Sequence, residues 1–400
     1  MIQFRLFLSL FLLGIVLTGC GLINSNSRGK AIDLKPETVA EISFDTIQNL
    51  MIVEAEINGQ KGKFLFDNGF TLSAISPDFA EKAGINFNQS ARVNDINNKK
   101  STLEETTIAS VKIGDIEFRK TGFYKIDTKK FFPCNEVDGV IGGSIINKVN
   151  WKVLYRDRRI EISRKPFDVS ANSYNLDIEF NGGNSALTEI TIQEAEITCK
   201  VDIGMSAEMS IHAKYVELFE GMEAVNNVGI GSLSGSGLGN SENNYDLTER
   251  VVFASSQSQL PIGAELELDE SQKYNGYIGV GYLKHYNFIL NSTEKQYVLS
   301  EPIVPNETKA ENYGIVLYMI DDTCRIIQKN GFDPLLNGVP LMQAVSMIDN
   351  VKTNDFKSVC DLRDYLRKKN REKTEMVLQF YNNEEPLVLP YREVVVGKIE

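Results

Sequence analysis

One short pattern occurs twice in this chain, and it constrains the fold more than any other feature. Phe64-Leu65-Phe66-Asp67-Asn68-Gly69 is an apolar strand running into Asp-x-Gly, and Cys199-Lys200-Val201-Asp202-Ile203-Gly204 is a shorter version of it. Each is followed by a second matched segment, opened by Asp138-Gly139-Val140-Ile141-Gly142 in one case and by Asn275-Gly276-Tyr277-Ile278-Gly279 in the other. The two aspartates lie 135 positions apart and the two glycine segments 137 apart. Across 139–163 and 276–300 the register holds without a gap. Gly139/Gly276, Ile141/Ile278, Gly142/Gly279, Asn150/Asn287 and Ser163/Ser300 are identical. Two copies are too few for a solenoid. They predict two halves facing each other across a pseudo-two-fold axis, with one Asp from each at the centre.

Each half reads as β structure. Residues 51–57 (MIVEAEI) alternate apolar and polar, Asn58-Gly59 signals a hairpin, and 64–66 form the returning strand. Residues 111–118 alternate again, with a turn at Gly114-Asp115. In the second half 187–197 and 251–254 are the expected counterparts. Helices are few. Ser76 is placed to cap a short one, with Pro77 at its first position and Gly84 as its stop, and 212–219 is its expected partner.

These motifs resemble the retropepsin-like aspartic peptidases, in a bacterial form with both lobes in one chain. The resemblance spans about 42–301. It rests on Phe-Leu-Phe-Asp67-Asn-Gly69 and Val-Asp202-Ile-Gly204, each with its downstream Val140-Ile141-Gly142 or Tyr277-Ile278-Gly279. It implies a mainly β fold of two pseudo-symmetric β-barrel lobes, at 39–165 and 166–303. It also implies that Asp67 and Asp202 form a catalytic dyad, with Gly69 and Gly204 lining the substrate site and letting the two turns approach closely. Two adjacent carboxyls cannot both ionise cheaply. They share a proton, so one serves as base towards water and the other as acid. No cofactor and no metal is implied. A flap is expected at 229–240 (GIGSLSGSGLGN), with Gly235 and Gly237 against the substrate, and 94–100 is its plausible equivalent. The family places Thr or Ser after each Asp, and its hydroxyl bonds the opposite turn. Here Asn68 and Ile203 stand there, so one half of that interlock is expected to be missing. The competing reading is a catalytically weak or inactive peptide-binding lipoprotein on the same fold, and a lone Asp-x-Gly is commonly no more than a solvated turn.

Other signals carry less. Gly231-Ser232-Leu233-Ser234-Gly235 matches a hydrolase elbow, but the glycine-rich stretch after it will not form the required helix. His212 and His285, the two histidines, lack metal-ligand spacing. A net charge of −12 argues against nucleic acid as a partner.

Arg5 followed by the apolar stretch 6–17 reads as a signal peptide, residues 1–19, too short to span as a mature helix. Leu17-Thr18-Gly19-Cys20 resembles a bacterial lipobox, which implies a lipid on Cys20 and a membrane-anchored protein of the cell envelope facing the periplasm or exterior. Residues 20–38 read as a tether. Cys134, Cys199, Cys324 and Cys360 remain. Cys324 and Cys360 fall in one domain and could pair, but four cysteines allow three pairings and none is assigned.

Beyond a linker at 302–311 the pattern changes. A strand (314–320), a second (345–350), an amphipathic helix (355–369, with Val359, Leu362 and Leu366 on one face) and a closing hairpin (375–381, 386–390) follow. This order resembles a small α+β PDZ-like domain at 311–400. It implies that a polypeptide chain end or strand binds by adding to a sheet edge.

Overall fold

The computed structural model describes residues 30–31, 35–94, 100–181, 185–219, 227–230, 247–253, 260, 264–269, 273–302, 308–330 and 333–397. The lipobox, Cys20, Gly235 and Gly237 lie outside them, as do 95–99 and 231–246, so both expected flap tips do too. The fold is mainly β. No described helix is long and apolar enough to cross a membrane.

The two repeats fold alike. In the first, Gln60–Phe66 runs parallel to Gly139–Ile141, which pairs antiparallel with Ser73–Ile75, itself parallel to Ile116–Lys125. In the second, Ala195–Asp202 runs parallel to Gly276–Gly279, which pairs antiparallel with Met209–His212, itself parallel to Ala264–Asp269. A short helix follows each glycine segment, Gly143–Ile146 and Val280–Leu283. Ser76 caps Pro77–Lys82 through the Phe79 amide, and a 3-10 helix at Ala213–Phe219 stands in the corresponding place. The expected stretch 187–197 folds into two strands, Ala186–Ile192 and Ala195–Asp202, with Gln193 turning at positive φ between them.

The halves meet through the hairpins that end each repeat. Asn150–Leu154 pairs antiparallel with Tyr286–Asn291, matching Trp151 to Leu290, Lys152 to Ile289 and Val153 to Phe288. At the repeat offset Trp151 corresponds to Phe288 and Val153 to Leu290. The pairing therefore maps onto itself when the halves are exchanged, as a two-fold axis requires. One continuous apolar core runs through both halves. Trp151 anchors it below the first Asp turn: its ring meets Phe66 edge-on at 4.9 Å and stacks on Phe118, and its indole N–H donates to the Ile146 carbonyl at 2.8 Å.

The C-terminal residues have a separate core around Leu317, Ile326, Val345, Leu362, Leu378 and Leu389. The helix here is Val359–Glu372, starting later than expected because Ser358 supplies the cap, its side chain accepting the Asp361 amide. Four described strands in this region have no counterpart in the sequence pattern, the two-residue Val351–Lys352 among them. Thr323–Asn330 pairs with Ile315–Ile320, while Thr308–Asn312, within the expected linker, pairs with Arg392–Gly397. Thr308–Asn312 is short and polar and gains its strand character from its partner rather than its own pattern.

Two connections tie this unit to the halves. Asn227–Ile230 of the second half adds antiparallel to Thr323–Asn330. Cys134, before the Gly139 strand, is disulfide-bonded to Cys360 in the first turn of the helix, with Cα atoms 5.3 Å apart. The pairing considered for Cys324 and Cys360 is therefore not the one formed. Cys324 is buried in the C-terminal core, whereas Cys360 faces Cys134, and Arg363 one turn on bonds the Cys134 carbonyl and the Asn135 side chain. Replacing Cys360→Ser is expected to destabilise the chain by about 2–4 kcal/mol, read as a lower thermal midpoint in non-reducing buffer. An unchanged midpoint would show that the bond contributes nothing.

Candidate active site

Asp67 and Asp202 sit at equivalent places on equivalent turns. The strand before each runs up to the Asp, and an i to i+3 backbone bond closes each turn, Phe70 N to Asp67 O at 3.4 Å and Met205 N to Asp202 O at 3.1 Å. The downstream glycine segments lie beneath and donate to the residue that closes each turn. Gly143 N meets Phe70 O at 2.7 Å, and Val280 N meets Met205 O at 2.9 Å. The repeated sequence thus builds a turn and its support together.

The two carboxyls converge. Each is buried, with Asp67 9% and Asp202 7% exposed. Asp67 Oδ1 accepts the Gly69 amide at 2.7 Å and Asp202 Oδ1 accepts the Gly204 amide at 3.0 Å. A Cβ placed on Gly69 would collide with the Asp202 carboxyl, and one on Gly204 with the Asp67 carboxyl. Only glycine lets the opposite turn come this close. The two carboxyls therefore face each other between the turns. Burial, followed by the charge of Asp202, pushes Asp67 up to about 8. Two carboxyls this close do not both ionise readily, and Asp67 keeps a proton well above the ordinary carboxylate range.

One half of the interlock is made, by one side chain acting twice. Buried Asn68 donates from Nδ2 to the Val201 carbonyl at 3.0 Å and accepts the Ile203 amide on Oδ1 at 2.8 Å. An amide carries donor and acceptor on separate atoms, so it satisfies both groups at once. Ile203 is fully buried and makes no such bond in return. The second half contributes through Lys200, which the motif pattern does not single out. Its Nζ donates to the Gly69 carbonyl at 2.9 Å and to Asp202 Oδ2 at 2.8 Å. The available signal is a break in pattern: the first repeat has apolar Leu65 at this place.

The remaining sequence signals stay apart from this centre. His285 pairs with Glu208 at 3.2 Å, and His212 Nδ1 accepts the Lys214 amide. Among the described residues no cluster could hold a metal ion.

Residues 53–145 match the family model described as aspartyl protease. That stretch holds Asp67 and its supporting glycine segment and ends before the second repeat. Among solved structures, a similar chain is a retropepsin-like aspartic protease from Rickettsia conorii, 19% identical with a TM-score of 0.25. The match covers 31% of this chain and 91% of that one. No curated protein matches.

Two measurements test the electrostatics and the interlock. Asn68→Ala strands two buried backbone groups and is expected to cost about 2–5 kcal/mol in urea unfolding, against near neutrality if the groups find other partners. Asp67 keeps its proton in the folded state over a range where the unfolded chain has lost it. Stability from this group is full below about pH 4 and falls as pH rises towards about 8. Asp67→Asn mimics the protonated form, so its thermal midpoint should rise relative to the parent across that window. A constant difference would contradict the buried proton.

Proposed function

We propose that this chain is a bilobal, retropepsin-like aspartic endopeptidase that hydrolyses extended polypeptides, held at the bacterial cell envelope by a lipid on Cys20. The observation that carries the reading is the convergence of Asp67 and Asp202, each buried against the other turn's glycine. The aspartyl protease match over 53–145 supports it for the first lobe, and the matched strand order extends it to the second. The lobes take the boundaries 39–165 and 166–303. Asp202, as carboxylate, takes a proton from water as its oxygen attacks the peptide carbonyl. Asp67 gives its proton to the carbonyl oxygen; as the tetrahedral intermediate collapses, that proton returns to Asp67 and Asp202 passes the proton it took from water to the departing amine nitrogen.

The C-terminal unit, 311–400, reads as a PDZ-like domain that holds a chain end or strand of the substrate. Among the described residues, Ile315–Ile320 pairs on one side only, with Thr323–Asn330, and the helix Val359–Glu372 packs against it. A sheet edge beside a helix is a site for strand addition. The lipid anchor rests on the lipobox alone.

A second reading, a peptide-binding protein without catalysis, draws on the ammonium of Lys200 occupying one oxygen of Asp202. The deciding experiment is cleavage of an unfolded protein by the full chain in mild detergent, across pH 4 to 9. Asp67→Asn and Asp202→Asn should each reduce kcat/KM at least about a thousandfold, and parent activity should fall as pH rises through about 8. Peptide binding that persists in both variants, with no cleavage by the parent, would select the second reading.

A further inference from the structure

The glycine amides treat the two aspartates alike, and the turns that carry them are related by the same two-fold axis. Lys200 is what makes them differ. It stands on the strand Ala195–Asp202, two positions before the Asp and on the same face, where the first repeat has Leu65. It is 4% exposed. Taking an ammonium out of water costs several kcal/mol, so a buried one persists only where its charge and its donors are answered.

The surroundings supply those answers. Nζ reaches Asp202 Oδ2 at 2.8 Å and the Gly69 carbonyl at 2.9 Å, and it lies 5.8 Å from the centre of the Tyr277 ring. Asp67 faces it from the opposite turn. Tyr274, which accepts from Asn181 and has Lys273 against its own ring, faces it from the segment before Gly276. Burial alone would push the ammonium down. Asp202 first, then Asp67 and Tyr274, outweigh it, and Lys200 is held above its ordinary value. The lysine is therefore a fixed positive charge on one side of a pair that is otherwise symmetric.

We propose that Lys200 is a positioning residue of the aspartate pair: its ammonium holds Asp202 as the carboxylate that receives the proton from water, leaves the shared proton on Asp67, and through the Gly69 carbonyl ties that choice to the opposite turn. This rests on the aspartic peptidase reading for its catalytic meaning, but its electrostatic content stands apart from turnover. A positive charge beside the pair favours the ionised state of both members, so its removal should move both ionisations of the pair to higher pH.

The test tracks both quantities in the full chain in mild detergent. Aspartate carboxyls are labelled with carbon-13 and their chemical shifts titrated, with Asp67→Asn and Asp202→Asn identifying the two signals. The pH profile of kcat/KM is measured on the same preparations. In Lys200→Met, or in Lys200→Gln should the first not fold, both apparent ionisations of the pair should rise by at least about one pH unit. The alkaline limb of activity should rise with them. Lys200→Arg, which keeps the charge, should restore the parent values. A folded charge-free variant whose carboxyl titration is unmoved would overturn the proposal. If the parent cleaves nothing at any pH while the carboxyl titration still shifts, the peptidase reading fails and the role of Lys200 in setting the charge of the pair stands.

Discussion

Two carboxyls buried face to face are the constraint around which the rest of the molecule is arranged. Alone, such a pair would push its turns apart, because water is excluded and like charges at this distance repel strongly. Three features hold it. A proton stays on Asp67, glycine amides point at both inner oxygens, and the turns are bolted together by Asn68 and Lys200. Beneath them, the glycine segments and the Trp151 cluster make a rigid floor. The shared sheet through Asn150–Leu154 and Tyr286–Asn291 fixes the distance between the halves.

The bolt is asymmetric. A duplicated chain begins with equal halves, and a symmetric interlock needs one hydrogen-bonding side chain from each. Here the first half provides both bonds through a single amide, and the second provides an ammonium at a different position. An isoleucine at 203 is tolerated because Asn68 answers the Ile203 amide directly. The apolar Ile203 side chain packs into the core and returns no bond to the first turn.

Much of this is legible in the residues because a repeat states the same constraint twice. The pairing of Asp-x-Gly with a distant apolar-Gly segment places the strands, the turns and the two-fold relation from the residues alone. What the sequence hides depends on tertiary contact. The double bonding by Asn68 requires knowing that Val201 and Ile203 lie across from it. Lys200 reads as an ordinary strand lysine until the Gly69 carbonyl is found against it. In the C-terminal unit, Thr308–Asn312 is polar and becomes a strand only beside Arg392–Gly397. The disulfide cannot be deduced either, since spacing does not say which cysteines meet.

The bond between Cys134 and Cys360 spans 226 residues of sequence. It closes a loop that holds the second aspartate, the whole of the second half and its strand contact with the C-terminal unit. If Asn227–Ile230 were to part from Thr323–Asn330, the C-terminal unit would still be held beside the first half, and the two would rejoin as an intramolecular event rather than a search through solution.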